Sequence, residues 1–170
     1  MLNDSKKSFI KSEIYILAWN ASAQRNAVYN KNCKTEERVR FRKDLILYLD
    51  KSIFPKYGKT MSEEDHYNNI LDLKKYAEKI GKSTLLNQSY KIGTAQKLLN
   101  LSLKYFWCIG LVIEPPHCPV DRIILGDAGI KLSWTKISTI KEYRSVINDI
   151  RKKIDRQDLA QWELEIYRRR

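Results

Sequence analysis

Asp121 is a single acid behind two prolyl constraints, in the stretch His117-Cys118-Pro119-Val120-Asp121-Arg122. A carboxylate fixed on such a bend can stabilise a developing cation and orient or deprotonate a water. Upstream, Lys97 and Lys104 stand seven residues apart, the first just before and the second within the run Leu98 to Ile109, which reads as a helix body and so places both on one face with Asn100 between them. An amine at Lys97 can attack an electrophilic carbon and form a Schiff base once it is deprotonated. In front of that helix lies Tyr90-Lys91-Ile92-Gly93-Thr94-Ala95-Gln96-Lys97. Ile92-Gly93 reads as a tight turn with Thr94 as the helix cap, and outward backbone N–H groups there would seat a phosphate. Each feature has a plainer reading beside the chemical one. Asp121 can be only the N-cap of the next helix, and both lysines can simply bind phosphates.

The elements that must position these groups read as helices. Residues 5–29 carry Ile10, Ile14, Leu17 and Ala18 at three- and four-residue steps. Trp19, Asn20 and Gln24 share that element, as the wall of a pocket or as a packed Trp beside a solvated face. A second helix is predicted over 35–54, with Val39, Leu45, Leu49 and Ile53 inward, and a third from Ser62 to Gly81. Ser83 to Gln88 could form a short helix, giving the plan helix, hairpin, helix. Three prolines at 115, 116 and 119 keep the segment 111–119 irregular. Asp121 to Leu125 restarts a helix, and two more are expected at 138–154 and 157–167. No strand, linker or internal repeat is evident, so the expectation is all-α: one compact domain over 1–170, its hairpin and catalytic loop at about 83–125.

Bulk properties narrow the partner. With 32 Lys+Arg against 20 Asp+Glu the net charge is +12, and a surface that basic attracts polyanions, nucleic acid first among them. No apolar run reaches the roughly 18 residues of a membrane span, and no signal peptide is apparent, so neither a membrane partner nor export is expected. Cys33, Cys108 and Cys118 are scattered and lack a Cys-x-x-Cys pair. That fits a reducing cytoplasm and argues against zinc, an iron–sulfur cluster or any other cofactor.

Ile92-Gly93-x-x-x-Lys97, Pro119-Val120-Asp121-Arg122-Ile123-Ile124-Leu125, Ala128-Gly129-Ile130 and Leu159-Ala160-x-Trp162 together resemble the core of helix-hairpin-helix DNA glycosylases, nearest to the archaeal-type 8-oxoguanine branch. The resemblance covers about residues 80–165. It implies a monomeric enzyme on double-stranded DNA that flips a modified base from the stack and cleaves its N-glycosidic bond. The substrate would be an oxidised purine, or a phage hypermodified base such as glucosylated hydroxymethylcytosine. Asp121 would be catalytic and Lys97 a nucleophile or pocket residue, with an associated lyase step in the first case. Tyr90, Lys91, Gly93, Thr94, Lys104 and Arg122 would hold DNA, and Trp19, Asn20, Gln24 and His117 would face the base, although a His between prolines can equally be a loop anchor. The competing expectations are a basic helix-hairpin-helix module that binds DNA without turnover, and a helical interaction protein for an acidic partner.

Overall fold

The computed structural model describes residues 3–24 and 26–167, and among these the regular structure is helical. Helix α1 (Asp4–Ala23) starts where the Asn3 side chain accepts the Lys6 backbone N–H at 2.9 Å. Helix α2 (Thr35–Tyr48) runs on through a π turn at Leu49–Ile53 and a 3-10 turn at Phe54–Gly58, the latter opened by Pro55. Helix α3 (Glu63–Ile80) begins at Ser62, whose hydroxyl accepts from Asp65 N, and ends at Gly81. Helices α4 (Ile92–Cys108), α5 (Arg122–Asp127), α6 (Ile140–Ile154) and α7 (Leu159–Ile166) complete the order. No helix among the described residues is long and apolar enough to cross a membrane.

Helix α4 is the axis of the molecule. Its sequence is apolar nearly all round, which marks a helix enclosed by others rather than one lying on a surface. Ile92, Ala95, Leu98, Leu99, Leu103 and Phe106 are all at most 1% exposed. Helices α1, α3 and α6 and the turn at Trp134–Lys136 pack around it. The core continues through Leu45, Leu49, Ile53, Ile70 and Leu73 to Tyr143, Ile147 and Ile150. Burying large aliphatic or aromatic side chains of this kind stabilises by roughly 1.5–3 kcal/mol each, before the loss of chain entropy is counted.

The structure corrects several expectations. Ser83–Gln88 is not a helix: only a 3-10 turn at Leu86–Gln88 forms, with Asn87 (φ 52°) and Gln88 (φ 53°) in the left-handed region. The expected helix-hairpin-helix plan is therefore absent in that form, and the connector is pinned instead by an isolated antiparallel bridge between Tyr29 and Leu85. Val39 points outward at 47% exposed, while Phe41 takes the inward position at 3%. Thr94 does not cap α4. That place belongs to Lys91, and the Thr94 hydroxyl, buried within the helix, accepts from Asn26 Nδ2 at 3.1 Å.

Candidate functional site

Asp121 sits where α5 begins, its backbone extended and its carboxylate serving as the cap. Oδ1 accepts the backbone N–H groups of Ile123 (2.8 Å) and Ile124 (3.2 Å). The other oxygen, Oδ2, lies 3.3 Å from the Lys97 ammonium. One oxygen is thus fixed by backbone donors and the other is presented to a cation. The two side chains are 11% (Lys97) and 23% (Asp121) exposed and both line one cleft of about 750 Å³. The plainer reading of Asp121 is true of the structure, and it coexists with a place in the cleft.

Five helices and the loop before α5 enclose that cleft. Helix α4 contributes Lys97, Leu101, Lys104 and Tyr105, a stripe spaced by three, four and seven residues. Helix α1 adds Leu17 and Ala21, the loop adds Pro119, and α5 adds Ile123, Ile124 and Asp127. Lys153 and Ile154 come from the end of α6, and Trp162, Glu163, Ile166 and Tyr167 from α7 and its end. The cleft is therefore lined by apolar and aromatic groups together with three lysines and three carboxylates, an apolar pocket with a few polar groups as small-ligand sites have.

Lys97 and Lys104 already have partners in the wall. Lys97 Nζ also lies 4.4 Å from the centre of the Trp134 ring. Lys104 Nζ is bonded to Glu163 Oε1 at 2.5 Å, stands over the Tyr167 ring at 4.2 Å and is almost buried. Burial pushes the Glu163 carboxyl above its ordinary range, and the adjacent Lys104 opposes that. Lys104 thus belongs to the wall of the cleft and is not presented as a surface phosphate ligand.

The other expected site residues are distributed differently. Asn20 and Gln24 are exposed, on the α1 face that by roughly 100° per residue also carries Leu17 and Ala21, but neither lines the cleft. Trp19 lies about 200° round from Leu17 by the same geometry and is buried against Tyr29 and Phe41, on the far side of the helix. It is core, not pocket wall. His117 is also absent from the cleft: fully buried, its Nδ1 faces Tyr143 Oη at 3.1 Å and its Nε2 faces Glu63 at 3.0 Å. Burial lowers its pKa, opposed by Glu63, so the ring is neutral, with Nε2–H donating to Glu63 and Nδ1 accepting from Tyr143. It anchors the loop.

The expected phosphate seat is closed. Gly93 N–H donates to Ile137 O at 2.9 Å, and a Cβ on Gly93 would lie 2.1 Å from the Trp134 carbonyl oxygen. Glycine is needed there because another stretch of backbone rests on it, not because a ligand does. Tyr90 is 1% exposed, packed against Phe41, so it too is core. Lys91 is exposed and reaches Thr135 O at 3.1 Å, and Arg122 is exposed at the start of α5 beside Asp121. Of the six expected DNA contacts, these two alone keep a surface position.

Two groups carry the site without having been singled out from the sequence. Tyr105 and Tyr167 supply aromatic faces to the cleft beside Trp162. Gln96, an amide in an apolar run, bonds to both backbone groups of Val120, one residue before Asp121. A polar residue enclosed by aliphatic neighbours was the available signal. Among the described residues no group of three metal-ligating side chains converges. A scan against protein-family models, a search of curated proteins and a search of solved structures return no match, so the functional reading rests on this geometry and on the sequence motifs.

Proposed function

We propose that the chain is a DNA glycosylase that accepts a flipped, modified base in the cleft and hydrolyses its N-glycosidic bond at Asp121. The observation that carries this reading is the Asp121–Lys97 pair at 3.3 Å on the wall of a 750 Å³ cleft. A nucleobase fits such a volume, and Tyr105, Trp162 and Tyr167 offer faces on which it can stack. The net charge of +12 supports a polyanionic partner.

The bond from C1′ to the base nitrogen breaks with its electron pair leaving on the base, which then takes up a proton. The sugar carbon is left cationic, and the Asp121 oxygen turned toward the cleft stabilises that charge. A water adds its oxygen to C1′ and gives up a proton to the carboxylate. Lys97, as an ammonium 3.3 Å from Oδ2, holds Asp121 in place. As a neutral amine it would add to C1′ in place of the departing base and lose a proton. The C1′–O4′ bond then opens, O4′ takes up a proton, and the C1′=N Schiff base forms, the lyase branch of the same reading. By the resemblance in sequence, the base is an oxidised purine.

The test is incubation with duplexes carrying an oxidised purine or a glucosylated hydroxymethylcytosine, followed by alkali. Strand breaks at the modified position are expected, and Asp121→Asn removes them while duplex binding persists. Full activity in that variant would take Asp121 out of the mechanism. Borohydride trapping separates the branches: a covalent adduct absent in Lys97→Gln identifies the amine as nucleophile. Steeply salt-dependent binding with no abasic product from any duplex would leave the alternative, a DNA-binding module without turnover.

A further inference from the structure

We propose that Gln96 is the positioning residue of this site, acting on Asp121 through the backbone of Val120. This rests on the reading of Asp121 as the catalytic carboxylate, and its test is built to fail separately from that reading. The Gln96 carboxamide is 0% exposed. Its Nε2 donates to Val120 O at 2.7 Å and to Gly93 O at 2.9 Å, while its Oε1 accepts Val120 N–H at 3.1 Å and Asn100 Nδ2 at 3.2 Å.

The amide orientation is unambiguous. Turned over, its NH2 would meet two donors and its oxygen two carbonyls, four repulsive contacts in place of four bonds. One side chain thus grips both polar groups of a single residue, much as a neighbouring strand would. One turn along α4, Asn100 adds a single further hold on the loop, its Nδ2 lying 3.1 Å from Cys118 O and 2.9 Å from Tyr143 Oη. The loop that presents Asp121 is therefore stapled to the same helix that presents Lys97. Lys97 follows Gln96 directly, and Asp121 follows Val120 directly. The two-point bond between Gln96 and Val120 sets the register in which the ammonium and the carboxylate meet, at 3.3 Å.

Packing alone would not need an amide there. Gln and Glu have nearly the same shape, so Gln96→Glu keeps the volume and replaces a donor by an acceptor. At neutral pH the new carboxylate faces the Val120 and Gly93 carbonyls and releases the loop. Burial raises the pKa of such a carboxyl, and once protonated it donates again. Burial holds Tyr143 and Cys118 protonated, lowers the pKa of His117 and raises that of Glu163. These groups, with Asp121, Lys97 and Lys104, are the same in both proteins, so the variant is read as a ratio to wild type at each pH.

The expected result is a fall of about 100-fold in the rate of abasic-site formation at pH 8, recovered at least tenfold toward pH 5.5, with duplex affinity unchanged. Gln96→Met, which has no donor to recover, stays impaired at every pH. Leu103→Ala, which empties buried space in α4 without removing a hydrogen bond to the loop, measures what lost stability alone does. A Gln96→Glu protein as active as wild type at pH 8, or equally impaired at both pH values, overturns the proposal. Should wild type form no abasic site on any duplex, the catalytic reading falls and the positioning claim is read by amide exchange. Val120, Ile123 and Ile124 should lose protection in Gln96→Glu at pH 8 and regain it at low pH, with Leu99 protected throughout. Unchanged protection at those three amides overturns it on its own. If Gln96→Glu does not fold at pH 8, the same comparison is made in Gln96→Met against Leu103→Ala, and equal protection of the loop in those two likewise overturns the proposal.

Discussion

Gly93 shows how a residue type can be read correctly and its reason wrongly. A glycine at the start of a helix suggested a turn open to phosphate. The structure fills that space with the carbonyl of Trp134, so any side chain at 93 collides with backbone. Gly93→Ala should therefore cost stability, on the order of 2–4 kcal/mol as a severe overpacking, and should push the Trp134 turn off α4. Thermal melting and the fluorescence of Trp134, whose ring lies under Lys97, would register this. A variant that melts like wild type and loses only DNA binding would restore the phosphate role. Trp19 and His117 carry the same lesson. A lone sequence says which residues are chemically able, but which face of an element meets the cleft depends on contacts from distant segments. Trp19 is one position from the exposed Asn20 and lies in the core. Asp121 escaped that ambiguity because proline before it and a helix after it fix the backbone locally.

At the scale of elements, α5 asks Asp121 to do two jobs, and substitutions can part them. Asn still caps a helix, so Asp121→Asn should keep α5 and lose the charge, whereas Asp121→Ala loses both. We expect Asp121→Ala to melt about 2–4 °C lower than Asp121→Asn, from ~1 kcal/mol of capping in a chain of this size. Equal melting temperatures would mean that the two N–H bonds to Oδ1 contribute nothing measurable. On the opposite side of the core, Glu63 at the start of α3 accepts from His117 Nε2, Arg151 Nη1 and Tyr67 Oη, joining α3, α6 and the loop. The bond from His117 and those from Arg151 and Tyr67 hold its carboxyl well below the usual range, against the cost of burial. A carboxyl depressed in the folded state adds stability that is whole above its unfolded pKa and is lost as pH falls through the folded one. Wild type should thus lose stability below about pH 4.5, the ordinary value for Glu. Glu63→Gln should be less stable at pH 7 and flatter with acid. Because the side chain is 40% exposed, solvent screening keeps the neutral-pH effect to ~1 kcal/mol. Melting curves that run parallel from pH 7 to pH 3 would remove Glu63 from this role.

Over the whole molecule, the helical class, the breaks at Gly81 and the prolines, and the apolar helix that became α4 were legible in the pattern of apolar residues. The connector at 83–91 was not, because Asn87 and Gln88 adopt left-handed backbone that residue type alone does not announce. Nor was the cleft itself, since Leu17, Lys104, Lys153 and Trp162 come from four helices and meet only when those helices pack. Charge is the property that survives packing intact, and it gives the remaining prediction. Several of the basic residues are already used inside the fold: Lys97, Lys104, Lys11, Arg144, Arg151 and Arg156 each hold a carboxylate. The net charge of +12 must then act through surface cations such as Arg122 and Lys91. Each phosphate neutralised releases condensed counterion, so log K should fall linearly with log salt at a slope of about −0.9 per contact. If the chain acts on DNA as proposed, Arg122→Ala should make that slope shallower by about one unit, because the residue is exposed beside Asp121. Lys104→Gln, whose ammonium is held by Glu163, should leave the slope unchanged while altering turnover. Equal changes in slope for the two variants would mean that Lys104 reaches the backbone after all, and that the cleft opens more widely on DNA than it stands here.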